Sequence, residues 1–284
     1  MPRTEQAGMM VWRIAGRLTD RDHDICHLLH EHRVLTTNQL TDVCFDSLRK
    51  AQKRLRLLHE WRVLDRFRPR HYDGGSDPFY YCLGPVGAQM VAADNDTPTA
   101  DVRWRPNTAA ALASSQRLAH LVGSNGLFTA LIRAARERPE CALREWWSEA
   151  RCTAAWGRYV RPDGYGVWTD GRKVAPFLLE YDNGTERHAR LVAKLDGYRR
   201  LQAAVGHPTL LLFRFPTVRR ETEARRALAD TGTDLPIVTG APHHRCAPWD
   251  PAGPVWQPLR ASGARHALTQ LGSLLRRTAT SDSL

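Results

Sequence analysis

The fold is decided by Gly157 to Leu201, GRYVRPDGYGVWTDGRKVAPFLLEYDNGTERHARLVAKLDGYRRL. Its clearest piece is Val174 to Leu179, a short apolar run bounded by Gly171 and Gly184, which predicts a buried strand. The run leads into Glu180-Tyr181-Asp182. Side chains two apart on a strand share a face, so Glu180 and Asp182 are expected to project together. Upstream, Tyr159 to Asp163 reads as the preceding strand, and a hairpin would bring Asp163 alongside. Downstream, Thr185 reads as the cap of a helix to Leu201, with Leu191, Leu195 and Tyr198 inward and Lys194 on the same helix. Three carboxylates on neighbouring strands, Asp163, Glu180 and Asp182, form an oxygen-rich metal site of the kind Mg²⁺ prefers.

Working outward, Leu143 to Ala150 reads as the first strand of this half. Thr209 to Phe215 and Leu235 to Thr239 read as its last strands, with a helix from Glu221 to Ala229 between them. A long helix capped by Ser114 or Ser115 and running through Arg136 comes first. His120 and Asn125 lie on it, either approaching the acidic site or, in the plainer reading, making interhelical hydrogen bonds. Gly240 to Gly263 is rich in Pro and Gly and reads as surface wrapping, followed by a terminal helix from Ala264. Within it, His243-His244-x-Cys246 lacks a distant fourth ligand at zinc-finger spacing, so a Pro-rich loop is the favoured reading.

The first third has a different pattern. Helical spacing predicts a helix capped by Thr19, a second from Thr37 to Cys44, and a third capped by Asp46 or Ser47 and running to Glu60. The third buries Leu48, Ala51, Leu55 and Leu58. Val63 to Arg70 and Phe79 to Leu83 read as two strands around a Gly/Asp-rich turn. Residues 49–70 hold nine Lys or Arg against Glu60 and Asp65. Three helices followed by a basic hairpin is the order of a winged helix-turn-helix. Its DNA-binding candidates are Arg49, Lys50, Lys53, Arg54, Arg56, Arg66, Arg68 and Arg70, placed to meet phosphates beside a groove of double-stranded DNA. Two-fold pairing, a homodimer, is the assembly that a palindromic site would require.

The order of elements around Pro162-Asp163 and Glu180-x-Asp182 resembles the PD-(D/E)xK nuclease superfamily, with Asp in place of Lys at position 182. The resemblance implies catalytic roles for Asp163, Glu180 and Asp182 around Mg²⁺, with Lys194 reaching back from the next helix. The basic helices together with RPDG...LEYDNGTE...K resemble the bacterial replication-relaxation family over most of residues 18–240. That resemblance implies a plasmid or other mobile element and a role in DNA replication or transfer.

The expected fold class is therefore α/β (α+β). It comprises an N-terminal arm (1–17), a winged helix-turn-helix domain (18–93) and a linker (94–107). A restriction-endonuclease-like αβββαβ domain (108–240) and a C-terminal extension (241–284) follow. A formal net charge of +11 and a sequence pI near 9.8 favour a polyanion, with nucleic acid ahead of an anionic membrane surface. No apolar stretch reaches transmembrane length and the N-terminus has no signal-peptide core, so no membrane partner is expected. Six scattered cysteines without a CxxC pair suit a reducing, cytoplasmic setting. The absence of GxxxxGK[ST] argues against an NTP-driven motor. Two functions remain: a DNA-binding protein that cleaves DNA with Mg²⁺, or a non-catalytic transcriptional or replication accessory factor whose second domain pairs protomers or binds a partner.

Overall fold

Capping side chains and apolar spacing build the first helices where the sequence places them. The structure is a computed structural model that describes residues 12–68, 78–206, 209–242 and 249–272. It is mixed α/β and divides into two units, Met1–Asn125 and Gly126–Leu284, the division falling within helix Leu118–Glu137. In the first unit, helix Asp20–His32 follows Thr19, whose backbone N–H and hydroxyl both donate to Asp22. Helix Thr37–Cys44 opens with a reciprocal capping box, Gln39 N–H to the Thr36 hydroxyl and Thr36 N–H to Gln39 Oε1. Ser47 caps helix Leu48–Glu60. Three short strands, β1 (Leu35–Thr36), β2 (Leu64–Phe67) and β3 (Tyr80–Leu83), form an antiparallel sheet in the order β1-β3-β2. Helix Pro85–Asp94 follows, with Pro at its first position.

Arg54 does not join the outward basic residues of its helix. Its Nε donates to Asp22 Oδ1 at 2.9 Å and its Nη2 to Asp22 Oδ2, while its guanidinium lies 5.3 Å from the Trp61 ring centroid. Asp22 is fully buried. Burial works to raise its carboxyl pKa, but the Arg54 and Thr19 donors outweigh burial and hold it below the usual range. Arg54→Met would leave that carboxylate with Thr19 alone. The expected cost is about 2–3 kcal/mol, at or below the usual range for a broken buried pair because Arg54 is partly exposed. It would be read as a lower urea midpoint at unchanged slope; an unmoved midpoint would remove the pair from the unit's stability.

The helix expected after Ser114 or Ser115 starts at Leu118 and runs to Glu137, and a separate short helix, Thr108–Ala113, precedes it. The Ser114 hydroxyl bonds back to Ala110 O and Ala111 O, closing the first helix rather than capping the second. Asn125 is buried and donates to His32 O and Val34 O, so the plainer of its two readings holds.

The second unit is built on a six-stranded sheet in the order β4-β5-β6-β7-β8-β9. The strands are β4 (Cys141–Ser148), β5 (Gly164–Asp170), β6 (Lys173–Tyr181), β7 (Leu210–Arg214), β8 (Ile237–Gly240) and β9 (Trp256–Pro258). β4, β5 and β6 form an antiparallel meander, β6, β7 and β8 run parallel, and β9 returns antiparallel. Helices His188–Val205 and Val218–Ala229 make the two crossovers that parallel pairs require. They cover the face carrying Leu178, Leu211, Phe213 and Ile237. Leu127, Phe128 and Leu131 of helix Leu118–Glu137 cover the other face, against Phe177, Leu179, Leu212 and Trp256.

Three expectations for this unit are corrected. Tyr159–Asp163 is not a strand. Tyr159 N–H and Val160 N–H turn back to Trp156 O, Pro162 has no N–H to give a ladder, and the strand starts at Gly164. Its glycines hid it. A Cβ on Gly164 would stand 2.8 Å from the Phe128 ring, and one on Gly166 2.6 Å from Phe177, so aromatic rings fill the places that side chains would mark. The strand expected over Leu143–Ala150 is Cys141–Ser148, and helix Glu149–Trp156, capped by Ser148, takes its last two residues and the unassigned stretch after them. The segment expected to wrap the surface supplies β9, and Trp256 is fully buried in the core. The stretch His243-His244-x-Cys246 lies outside the described residues, as does Arg70.

Candidate functional site

Two clusters carry chemistry, one in each unit. In the second unit, Asp163 precedes β5 and is stitched to the end of β6. Its N–H donates to Leu179 O at 2.9 Å, and its Oδ2 accepts from Tyr181 N–H at 2.8 Å. Glu180, two residues before the chain leaves the sheet, is 3% exposed. Helix His188–Val205 crosses above it, and Gly197 allows the approach: a Cβ there would stand 2.5 Å from Tyr159 O. That helix presents Lys194 and Tyr198 one turn apart on the same face. Lys194 Nζ lies 2.6 Å from Glu180 Oε2 and 3.5 Å from Glu186 Oε2. The Tyr198 hydroxyl donates to Glu180 Oε1.

This environment shifts all three groups. Burial, reinforced by the nearby Asp163 carboxylate, pushes Glu180 up to about 7 against the pull of Lys194 and Tyr198. Burial opposes the charge on Lys194, but Glu180, Asp163 and Glu186 outweigh it and raise its pKa. Burial and the Glu180 carboxylate raise Tyr198 far above an ordinary phenol, which keeps it a donor.

Asp182 takes a separate position. Its Oδ1 accepts from Gly184 N–H in a local turn, and its Oδ2 takes both Nε (2.9 Å) and Nη2 (2.8 Å) of Arg220. The oxygens of Asp163, Glu180 and Asp182 do not all come within 4.8 Å of one another. The structure thus brings together Asp163, Glu180 and Lys194, and draws Asp182 toward Arg220. Mg²⁺ commonly takes one or two protein carboxylates, with water and substrate oxygens completing its octahedron. Asp163 and Glu180 fit that demand, and Asp182 in its present pairing does not. Among the described residues, one group does bring three ligand atoms within 4.8 Å, Glu140, Cys141 and Asp170, at the other end of β5.

Sequence reading missed Tyr198 and Arg220 as site residues. Helical spacing from Lys194 already carried a signal for Tyr198. Nothing in the sequence pattern ties Arg220 to Asp182, 38 residues earlier.

In the first unit, a cleft of about 700 Å³ lies between helix Leu48–Glu60 and the β2–β3 sheet. Arg49, Lys53, Arg56, Arg66 and Arg68 line it, with Asn38 and Gln52 between them. Arg66 and Arg68 both lay their guanidinium groups over Phe79, 4.1 and 3.8 Å from the ring centroid. Arg49, Lys53, Arg66 and Arg68 hold no ion pair among the described residues, whereas Arg56 meets Glu60 at 3.6 Å. Lys50 turns to Asp46 at 2.9 Å, and Arg54 is committed to Asp22. The outward cationic lining therefore rests on Arg49, Lys53, Arg66 and Arg68. Asn38 and Gln52 join it as amides that the count of basic residues passed over.

No described helix is long and apolar enough to cross a membrane. A family model described as replication-relaxation matches residues 27–209. Searches of curated proteins and of solved structures found no match.

Proposed function

Since the chain belongs to the replication-relaxation family, we propose that it binds duplex DNA and acts in the replication or transfer of a plasmid or other mobile element. In this reading the first unit is a winged helix, with helix Leu48–Glu60 in a groove and the β2–β3 hairpin beside it. The second unit is a restriction-endonuclease-like domain that cleaves phosphodiester bonds with a divalent cation. The observation that carries the second half is the convergence of Asp163, Glu180 and Lys194 at the end of β5 and β6, in a sheet ordered β4-β5-β6-β7-β8. The match to the family model runs through both the cleft and this cluster.

Asp163 and Glu180 would hold Mg²⁺, which supplies a water of lowered pKa and neutralises charge on the scissile phosphate. The chain's own groups do the rest. Tyr181 N–H fixes the Asp163 carboxylate, and the Tyr198 hydroxyl fixes that of Glu180. Lys194, partly exposed and held charged, faces the phosphate as an electrostatic stabiliser. Asp182 acts at one remove, holding Arg220 across the loop after β6.

A specific observation favours a second reading. Both oxygens of Glu180 already accept hydrogen bonds and Asp182 is paired with Arg220, as in a buried network that only specifies structure. The chain would then be a non-catalytic accessory factor. Supercoiled plasmid incubated with Mg²⁺ or Mn²⁺ separates the two. Nicking by the wild type but not by Asp163→Ala supports the enzyme, and binding without nicking supports the accessory factor.

DNA binding itself has a quantitative signature. Replacing Arg49, Lys53 and Arg66 together with Gln removes three phosphate contacts. The slope of log K against log salt should become shallower by about 3, with affinity weakened across unrelated sequences. An unchanged slope would move the DNA contact away from this cleft.

A further inference from the structure

We propose that the second unit holds an unpaired nucleobase in an aromatic pocket beside the carboxylate cluster, so that its substrate is single-stranded or locally unpaired DNA. The inference rests on reading that cluster as a phosphodiester site.

The pocket has a volume of about 190 Å³. For scale, an engineered cavity of roughly 150 Å³ holds benzene. One wall is aromatic. Trp147 and Trp156 stack at 5.1 Å between centroids, and Tyr165 meets both edge-on at 5.1 and 5.4 Å. Leu178 and Leu201 add aliphatic lining, and Val205, which is 40% exposed, brings the pocket to the surface.

Its position gives it meaning. Leu178 lies two residues before Glu180 on β6, on the face that helix His188–Val205 covers. Tyr165 lies two residues after Asp163, and Leu201 and Gln202 lie one turn beyond Tyr198. Each path from the carboxylates reaches the pocket in one short step, about 7 Å along a strand. That is the reach from a phosphate to its own base.

The lining chooses the base over the backbone. Glu145 at the rim repels phosphate, while stacked indoles bind the face of any base. Gln202 is anchored through Nε2 to Thr209 O, which leaves its carbonyl oxygen as an acceptor at the rim. Arg151, lying over Trp147 at 4.2 Å, adds a cation outside the pocket for the neighbouring phosphate. A base inside the duplex cannot reach such a site, so it must arrive unpaired or be turned out of the stack.

The test uses the full chain in EDTA and a single-stranded oligothymidine carrying one central 2-aminopurine, whose fluorescence falls on stacking. The expected result is quenching by the wild type and by Val174→Thr, an exposed change at the far end of β6. Affinity should weaken at least about tenfold in Val205→Trp, which blocks the pocket from an exposed position, and in Trp156→Leu. Equal quenching by all four proteins would overturn the pocket, as would oligonucleotide binding by the wild type without quenching. Quenching that depends on Val205 and Trp156, in a protein that never nicks plasmid, would uphold the pocket and refute the nuclease reading instead.

Discussion

Replacing Glu180 with Gln is expected to abolish divalent-cation-dependent nicking, by on the order of a hundredfold or more, while leaving the fold intact. Changes to groups that merely orient a metal ligand cost 10–100-fold, and loss of the ligand itself costs at least as much. The amide keeps the size of the carboxyl, its oxygen can accept from Lys194 and its NH2 can donate to the Tyr198 hydroxyl oxygen, so the buried network is not emptied. Nicking by Glu180→Gln at the wild-type rate would remove this residue from the mechanism.

The same variant has a signature that needs no metal and no DNA. The folded-state pKa of Glu180 is raised from 4.5 to about 7. A raised pKa means that folding favours the protonated form, so the stability this group contributes is fully present below about pH 4.5. It is lost as pH climbs through 7. The shift corresponds to roughly 3 kcal/mol. Other carboxylates titrate in the same range, so the measured quantity is the difference between wild type and Glu180→Gln in EDTA. From pH 4.5 to 8 that difference should move by about 3 kcal/mol in favour of Gln. A buried acid whose ionisation costs stability is characteristic of sites selected for chemistry. A pH-independent difference would mean that Glu180 is held no more awkwardly than a surface acid.

How much of this was legible in the sequence depends on what carried each signal. The first unit was readable because its signals are local. Thr19, Thr36 and Ser47 stand at the heads of stretches whose apolar residues recur at helical spacing, and each helix forms there. β6 was readable because Phe177 to Leu179 is apolar on both faces, as a central strand flanked by helices must be. β5 was not readable, since the packing of Phe128 and Phe177 over Gly164 and Gly166 removed the side chains that would have shown its alternation. Asp163 was nonetheless placed beside Glu180, because its position at the hairpin survives a shift of the strand by a few residues. The separation of Asp182 from Glu180 had the opposite origin. Strand periodicity puts them on one face, but β6 ends at Tyr181, and Arg220 on a distant helix takes the carboxylate. Likewise Arg54 carries a charge indistinguishable in sequence from that of Lys53, and only tertiary pairing with Asp22 turns it inward.

The largest expected loss of stability comes from Arg265→Met, in a segment that the sequence suggests as the start of a terminal helix. Glu221 in helix Val218–Ala229 is 1% exposed. Its Oε1 accepts from the Thr239 hydroxyl at 2.6 Å and Arg265 Nη1 at 3.0 Å, and its Oε2 from Arg265 Nη2 at 2.6 Å. Arg265 Nη1 also reaches Val255 O, just before β9. Removing the guanidinium leaves a buried carboxylate with one hydroxyl, a change that typically costs about 3–5 kcal/mol. In a unit of this size the fall in Tm should be on the order of 10 °C. The double variant Glu221→Leu/Arg265→Met removes both charges and should recover most of the loss, because replacing a buried pair by apolar groups is close to neutral. The structural consequence should be local first. β9 covers the edge of β8, and Arg225 grips the same strap through the carbonyls of Gln257, Pro258, Leu259 and Ala261. Weakening it exposes β8 as an unpaired edge. Limited proteolysis should therefore cut between Trp249 and Leu271 before the parallel strands open. If single and double variants lose the same stability, the strap is held by the packing of Trp256 rather than by this ion pair.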